Sequence, residues 1–406
     1  METKVKPKGK IFTSVSVGAA TVWFSTHCGA GFASGTQELN YFASHSWYGW
    51  IFPVLSIFII GINYYVGCQA VYLTDKQSFG DWALEIYKPF GVVGRLLLDI
   101  SVIVTTLAAT GACISAGANL FLQNLGVPMV VGTIVMFVVI GGLSIFGADL
   151  VRKNAMVMTV GIIAIVILIV VIGVVKFAPN YSALVSENYM NPAAPKWGVT
   201  GATGTTPASF GNSLLWALTY AGFQMAIVGG TAAAYVGAKS YGEAKGFAIT
   251  GIILNIAMLS GVCLLLTMGM PEIYTNEEAK VLPTLFMVNS LDIGALKVVY
   301  PILLMLALIT TGVGFCFAMV TRFGRYFIKE KEGGGKTNEK LVNSIICLIT
   351  LIFCWGIAQL GLIWVVQVAY RYLGIYNWIA IIIPFTIFGW KNLKRLRAEH
   401  PEKLVA

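Results

Sequence analysis

Nine long stretches of this chain contain no Asp, Glu, Lys or Arg: 11–37, 39–74, 100–148, 154–175, 197–238, 246–271, 298–321, 341–370 and 372–390. A bilayer core ~30 Å thick is crossed by about 20 apolar residues of helix. Each stretch therefore holds one span, and 100–148 holds two, divided at Gly126-Val127-Pro128. Composition agrees. Charged residues are 11% of the 406, AVILMFWYC residues are 57% and mean hydropathy is +0.79. A soluble surface needs roughly 25% charged residues, and a disordered chain is poor in apolar ones. Runs such as Ala155 to Val175 lack the alternation of a transmembrane barrel. With no water in lipid to satisfy the backbone, helices remain. The predicted fold is an all-α polytopic membrane protein of about ten helices.

Basic residues set the orientation. With the N-terminus inside, ten spans place 22 of the 27 Lys and Arg on the cytoplasmic side, all but Lys176, Lys196, Lys280, Lys297 and Arg371. The predicted location is the cytoplasmic membrane, with both termini inside. The net charge of +9 is then membrane topology, and no soluble domain offers a basic face to nucleic acid. All seven cysteines fall in predicted spans and read as small packing residues without disulfides.

The spans divide into two sets of five. The expected layout is a tail at 1–10, a first five-helix repeat at 11–177, an outside loop at 178–210, a second repeat at 211–390 and a cytoplasmic tail at 391–406. Glu330 to Lys336 reads as a flexible connector. Thr275 to Glu278 matches a capping box, opening an outside helix that Pro283 interrupts. An interfacial helix is expected around Trp82, without chemistry.

The first span of each half carries an echo. Cys28-Gly-Ala-Gly-Phe-Ala-Ser-Gly35 and Tyr220-Ala-Gly-Phe-Gln-Met-Ala-Ile-Val-Gly-Gly230 share Ala-Gly-Phe. An odd number of spans per half inverts the second. Paired glycine-interrupted helices in inverted halves point to the central site of a secondary transporter. Each helical glycine costs about 1 kcal/mol relative to alanine, so unwinding is expected at Gly29 to Gly35. Backbone freed at membrane depth is tolerated where it lines a cavity or binds something. Its N–H groups suit a carboxylate and its carbonyls a cation. The alternative is close helix packing through small residues.

Substrate-site candidates are Gly29, Ala30, Gly31, Phe32 and Ser34 in the first span, Thr105 in the third, and Tyr220, Gly222 and Phe223 in the sixth. Thr105 belongs to a small, polar stripe with Ser101, Ala108, Ala112, Ser115 and Asn119. In the eighth span Ala307, Thr310 and Thr311 share a face; their oxygens suit sodium, although threonine hydroxyls also bond back to their own helix. Ionisable groups at membrane depth mark functional sites by default. Glu38 can gate, bind an amine or help a cation. His27 reads as a packing histidine beside the break. Both join Gln37 and Gln224 as a gating or polar network. Arg371 is expected at the outer interface.

Gly29-Ala-Gly-Phe-Ala-Ser-Gly-Thr-Gln-Glu38 resembles the GAGFASGQE signature of the YkvI-like permeases, within the amino acid–polyamine–organocation superfamily. Thr36 is an insertion, and Tyr370 to Gly374 departs from the usual Tyr-Pro pattern. The resemblance implies a LeuT-type five-plus-five inverted repeat with helices 1 and 6 broken and substrate between spans one, three, six and eight. It implies that backbone at Ala30, Gly31 and Phe32 meets a substrate carboxylate. It also implies a sodium site of Ala307, Thr310 and Thr311 with backbone near Ser25 and Cys28. The expected function is import of a small amino acid or related zwitterion or carboxylate by alternating access, with sodium as coupling ion and no cofactor. The alternatives are proton coupling or a non-transporting sensor on the same fold. A channel needs repeated pore rings and an enzyme convergent acid, base or metal groups; both are disfavoured.

Overall fold

A computed structural model describes residues 9–27, 29–76, 78–146, 148–198, 203–327 and 339–404, with the side chains of 148–159, 325 and 326 also outside the description. Cys28 and the 330–336 connector lie outside the described residues. Among the described residues, nine helices are long and apolar enough to cross a bilayer. An interrupted segment precedes them: α1 (Ser14–His27), α2 (Ala30–Ser34) and α3 (Thr36–Glu38), with a wide π-helical turn at Leu39–Ala43. The chain is a multi-pass membrane protein.

The remaining elements follow the charge-free map closely at first. They are α4 (Phe52–Thr74), the short α5 (Phe79–Ile86), α6 (Gly91–Leu125), α7 (Met129–Phe146), α8 (Ala148–Ser186) and α9 (Phe210–Gln224). Next come α10 (Val228–Ala233), α11 (Glu243–Met268), α12 (Glu272–Thr275), α13 (Glu277–Val281), α14 (Pro283–Leu291), α15 (Gly294–Phe327) and α16 (Glu339–Ala358). The last is α17 (Leu362–Glu399), which contains three π-helical turns. Gly126 ends α6 in the left-handed conformation, as the division before Pro128 implies.

Several expected boundaries move. The turn between the last two spans is at Gln359–Gly361, where Gly361 has φ 84°. It carries no charge, so the charge map placed it eleven residues late. Arg371 consequently sits inside α17 and is buried, not at an interface. α8 runs on to Ser186, past residue 177. The tail beyond 390 continues α17, and its Leu393 and Leu396 are buried. Asn276, not Thr275, caps α13, its Oδ1 accepting from the N–H groups of Glu278 and Ala279. Pro283 begins α14 instead of interrupting a helix.

Packing and lipid faces separate cleanly. Ile345, Leu348, Ile349, Ile352 and Phe353 form an exposed apolar stripe on α16 at i, i+3, i+4, i+7 and i+8. In a membrane such a stripe faces lipid. Inside, small residues let helices approach. A Cβ on Gly222 of α9 would lie 2.1 Å from the Gly374 carbonyl oxygen of α17, so these helices cross backbone to backbone.

The two ends of the bundle differ. Ser240 donates to the Lys10 carbonyl and Tyr72 to the Lys403 carbonyl, so both termini emerge at one end, here the terminal end. The far end carries α12–α14 and a loop with the two-residue strands β1 (Ala194–Pro195) and β2 (Thr205–Thr206), paired antiparallel. At the terminal end α17 docks on α5. Asn392 donates to the Ile86 and Lys88 carbonyls, and Arg395, Lys76 and Lys88 all pair with Glu85.

Candidate functional site

The first segment is broken twice. After His27 the chain passes through Gly29, extended at φ −74°, ψ −165°, into the five-residue α2. Gly35 then turns with φ 80°, and its N–H bonds the Gly31 and Phe32 carbonyls. A side chain at Gly35 fails on both counts: the left-handed conformation disfavours a Cβ, and that Cβ would lie 2.1 Å from Thr284 Oγ1. The α12–α14 hairpin thus rests on the kink, and Thr36 Oγ1 also donates to the Val281 carbonyl. The sixth segment departs from α geometry more mildly. Met225–Ile227 form one tight 3-10 turn between α9 and α10. The Gln224 carbonyl accepts from the Tyr64 hydroxyl at 2.7 Å, so part of this interruption is satisfied by protein.

α1, α2, α6, α15 and the α9–α10 turn enclose two hollows. A small one of about 30 Å³ lies at the breaks, lined by Thr26, His27, Gly29, Ala30, Gly31, Gln37, Thr105, Ala109, Phe223, Gln224, Ile227, Thr311, Phe315 and Tyr370. A larger one of about 730 Å³ shares Thr26, Thr105, Ile227, Thr311 and Phe315 with it. The larger hollow extends to Ser78, Phe79, Thr321 and Arg322 at the terminal end. Its wall is mostly apolar and small, with Gly229, Gly230, Ala233, Ala307 and Gly314.

The predicted residues divide on inspection. Ser25, His27, Gly29, Ala30, Gly31, Gln37, Thr105, Phe223, Gln224, Ala307, Thr310 and Thr311 line one hollow or both. Phe32, Ser34, Tyr220, Gly222 and Glu38 line neither. Phe32 sits edge-on to Phe24, and the Ser34 hydroxyl donates to the Ala30 carbonyl. Tyr220 packs on Phe42, and Gly222 on Gly374, so the small-residue packing reading holds for Gly222. Of the third-span stripe only Thr105 reaches a hollow; Ser101 donates to Asn377 and the rest pack.

His27 packs edge-on to Trp23 and Tyr64 and also lines the small pocket. Trp23 Nε1 donates to His27 Nε2 at 2.9 Å, which makes Nε2 the acceptor and puts the ring proton of a neutral imidazole on Nδ1. That Nδ1 has no hydrogen-bond partner, nor does Gln37 Nε2. Both residues line the small pocket. Glu38 follows α2 and the Gly35 kink, fully buried, with neither carboxylate oxygen hydrogen-bonded.

The sodium candidates gather on α1 and α15 around the break, and a Cβ on Gly29 would lie 3.4 Å from Thr311 Cγ2. The donor set is oxygen, the chemistry sodium prefers. Thr310 Oγ1 donates to the Leu306 and Ala307 carbonyls and Ser25 Oγ to the Val22 carbonyl, leaving hydroxyl lone pairs available.

Composition and spacing overlooked the closures. At the far side Phe223 stacks on Tyr370, centroids 3.9 Å apart at 19°. Behind them Tyr41 meets Trp216 at 4.6 Å, and Arg371 lies over Trp216 while donating to the Lys196 carbonyl. At the terminal end the Arg322 guanidinium, over the Phe79 ring, pairs with both Asp99 oxygens. Phe79 in turn lies against Gly229. So α5, expected to be passive, forms part of the cavity floor. Phe315 was within reach of the sequence, one turn after Thr311 on the same face; Tyr370 and Phe79 carried no local signal.

Comparison with known structures agrees with this geometry. A sodium-coupled sialic acid symporter in a substrate-bound outward-open state matches with a TM-score of 0.57 at 11% identity, covering 94% of this chain and 90% of that one. A variant of the Eremococcus coleocola manganese transporter matches at 0.56 and 12%, covering 98% and 89%. MhsT in complex with L-phenylalanine matches at 0.54 and 12%, covering 98% of each chain. These proteins have the LeuT fold, and this chain has it too. No family model and no curated protein sequence matches the chain.

Proposed function

We propose that this chain is a secondary active transporter of the cytoplasmic membrane, importing a small amino acid or related zwitterion or carboxylate by alternating access, coupled to sodium. The observation that carries this reading is the one-sided arrangement of its hollows. The first, third, sixth and eighth segments meet at a pocket whose far side is roofed by Phe223 and Tyr370, and whose other side adjoins a cavity reaching the terminal end. The resemblance of Gly29 to Glu38 to the YkvI-like permease signature and the fold in common with known symporters support it. So does the positive-inside pattern, which makes the terminal end cytoplasmic.

In this mechanism His27 Nδ1–H and Gln37 Nε2 donate to the anionic end of the solute beside the backbone of Gly29 to Gly31. The apolar part lies against Ile227 and Phe315, where the two hollows meet, with Ala109 on the small-pocket side. Thr310, Thr311, Ser25 and the Ala307 carbonyl hold sodium between α1 and α15. Each ligand shifts the conformational equilibrium by its differential affinity, and the coupling is reciprocal.

The test is a thermal-shift screen of purified protein against amino acids, with and without sodium, followed by uptake into vesicles. A ligand at a hundred times its Kd stabilises by about 2.7 kcal/mol, and sodium should enlarge that shift. Thr311→Ala should abolish the enlargement while expression stays normal. No shift and no uptake with any of them would overturn the proposal.

A further inference from the structure

Glu38 plays no part in the site just described, yet its surroundings are unusual. It is fully buried, and both oxygens lack hydrogen-bond partners. The elements packed on α3 include α2, the Leu39–Ala43 turn, α11, the Val365–Ala369 turn of α17 and, through the Thr36 hydroxyl on the Val281 carbonyl, α13, whose Lys280 pairs with its own Glu277 and which also carries Glu278. α2 and Val365–Ala369 bring no titratable side chain. The Leu39–Ala43 turn brings Tyr41, whose hydroxyl donates to the Val366 carbonyl. α11 brings the Cys263 thiol, and α17 adds the Tyr370 phenol just after its turn. Arg371, the next residue, lies over Trp216 and acts on Tyr41.

A bare carboxylate in such a place is strongly disfavoured, because nothing compensates its lost hydration. A proton removes the penalty. The position matters as well. The Val365–Ala369 turn on which α3 packs runs directly into Tyr370, the ring that stacks on Phe223 to roof the pocket. Ionisation at Glu38 therefore opposes the closed roof, and opening the roof admits the water that ionisation needs.

We propose that Glu38 is a proton site of the transport cycle: it holds a proton while the Phe223–Tyr370 roof is closed and releases it to water when the roof opens. The step is a simple transfer, in which the carboxyl O–H bond breaks, the electron pair stays on Glu38 and water takes the proton. This rests on the transporter reading and adds a proton to the proposed sodium.

Two readouts keep the proposal and the transporter reading apart. In the first, infrared difference spectra of the purified protein across a pH series follow the protonated carboxyl band without any transported solute. The wild type should show a titrating buried carboxyl band that Glu38→Gln lacks and Glu38→Asp displaces. Hydrogen exchange of 36–43 and 365–376 should speed up at high pH in the wild type relative to Glu38→Gln at the same pH. Identical bands in wild type and Glu38→Gln overturn the proposal. In the second readout, vesicles with equal sodium on both sides are given the twenty protein amino acids as the probe mixture, and a pH step drives uptake. Glu38→Gln should lower pH-driven accumulation roughly tenfold, within the range of coupling between linked sites, and leave exchange at equal pH within about twofold. Undiminished pH-driven accumulation in Glu38→Gln overturns the proposal. A wild type that neither accumulates nor exchanges overturns the transporter reading, and the infrared band still decides the proton site.

Discussion

The two ends of this bundle close the same hollow by different physics. The far end is shut by bulk and proximity: the Phe223–Tyr370 stack, the Tyr41–Trp216 pair and the backbone crossing of Gly222 over Gly374. The terminal end is only narrowed, by charge and a short inserted helix, with Arg322 paired to Asp99 and one ring, Phe79, beside Gly229. Apolar contacts between close-packed backbones are insensitive to salt, whereas an ion pair near the surface is screened. One end is therefore a tight seal and the other a latch.

This contrast can be broken at its strongest point. Gly374→Ala puts a Cβ 2.4 Å from the Thr219 carbonyl oxygen, and Gly222→Ala meets the Gly374 carbonyl. Each should destabilise the protein by roughly 2–3 kcal/mol through overpacking, read as a lower unfolding midpoint in detergent. An unchanged midpoint for both would mean the crossing is looser than described. Next is the latch. Arg322→Ala strands Asp99 and should cost about 1–3 kcal/mol, well below a fully buried pair because Asp99 is partly exposed. Asp99→Asn with Arg322→Ala should recover part of that loss, and a maleimide should label a cysteine at Ala318 faster in either variant. Equal labelling in all forms would deny the latch.

Smaller effects test the roof and the floor. Tyr370→Ala should favour the far-open state, the stack contributing about 1 kcal/mol beyond its buried area, seen as faster hydrogen exchange around 220–224. No change there removes Tyr370 from the gate. The floor depends on Glu85. Burial raises its pKa, but hydrogen bonds from Lys88, Arg395 and Lys76 outweigh that and hold it down at about 2. A depressed carboxyl stabilises above its ordinary pKa and loses that contribution as pH falls toward the depressed value. Docking of α17 on α5 should therefore be complete at neutral pH and weaken from about 4.5 down to about 2. Protease cleavage within 390–404 should rise over that window in the wild type, and Glu85→Gln should be cleaved faster already at neutral pH. A profile that does not differ between them discards this role.

Much of the architecture could be read from charge alone, because lipid makes every Lys and Glu costly and so punctuates the chain. The method failed where a turn needed no charge, at Gln359–Gly361, and Arg371 was misplaced with it. The first break was legible because three glycines in seven residues leave a helix few reasons to persist. The sixth was half legible. The same Ala-Gly-Phe there produces a tightened turn, since Tyr64 satisfies the Gln224 carbonyl and Gly222 is occupied in packing. Pocket residues on α1 and α15 followed from spacing within one helix. The closing residues did not, since Phe223 with Tyr370 and Phe79 with Arg322 are pairings between segments far apart in sequence.

The clamp of α17 on α5 has a practical meaning. Residues 392–404 hold the same short helix that presents Phe79 to the cavity floor. A purification handle, antibody or cellular protein gripping that extremity pulls on the inner doorway of the molecule. Deleting it would loosen the doorstep and take about two turns off the end of α17.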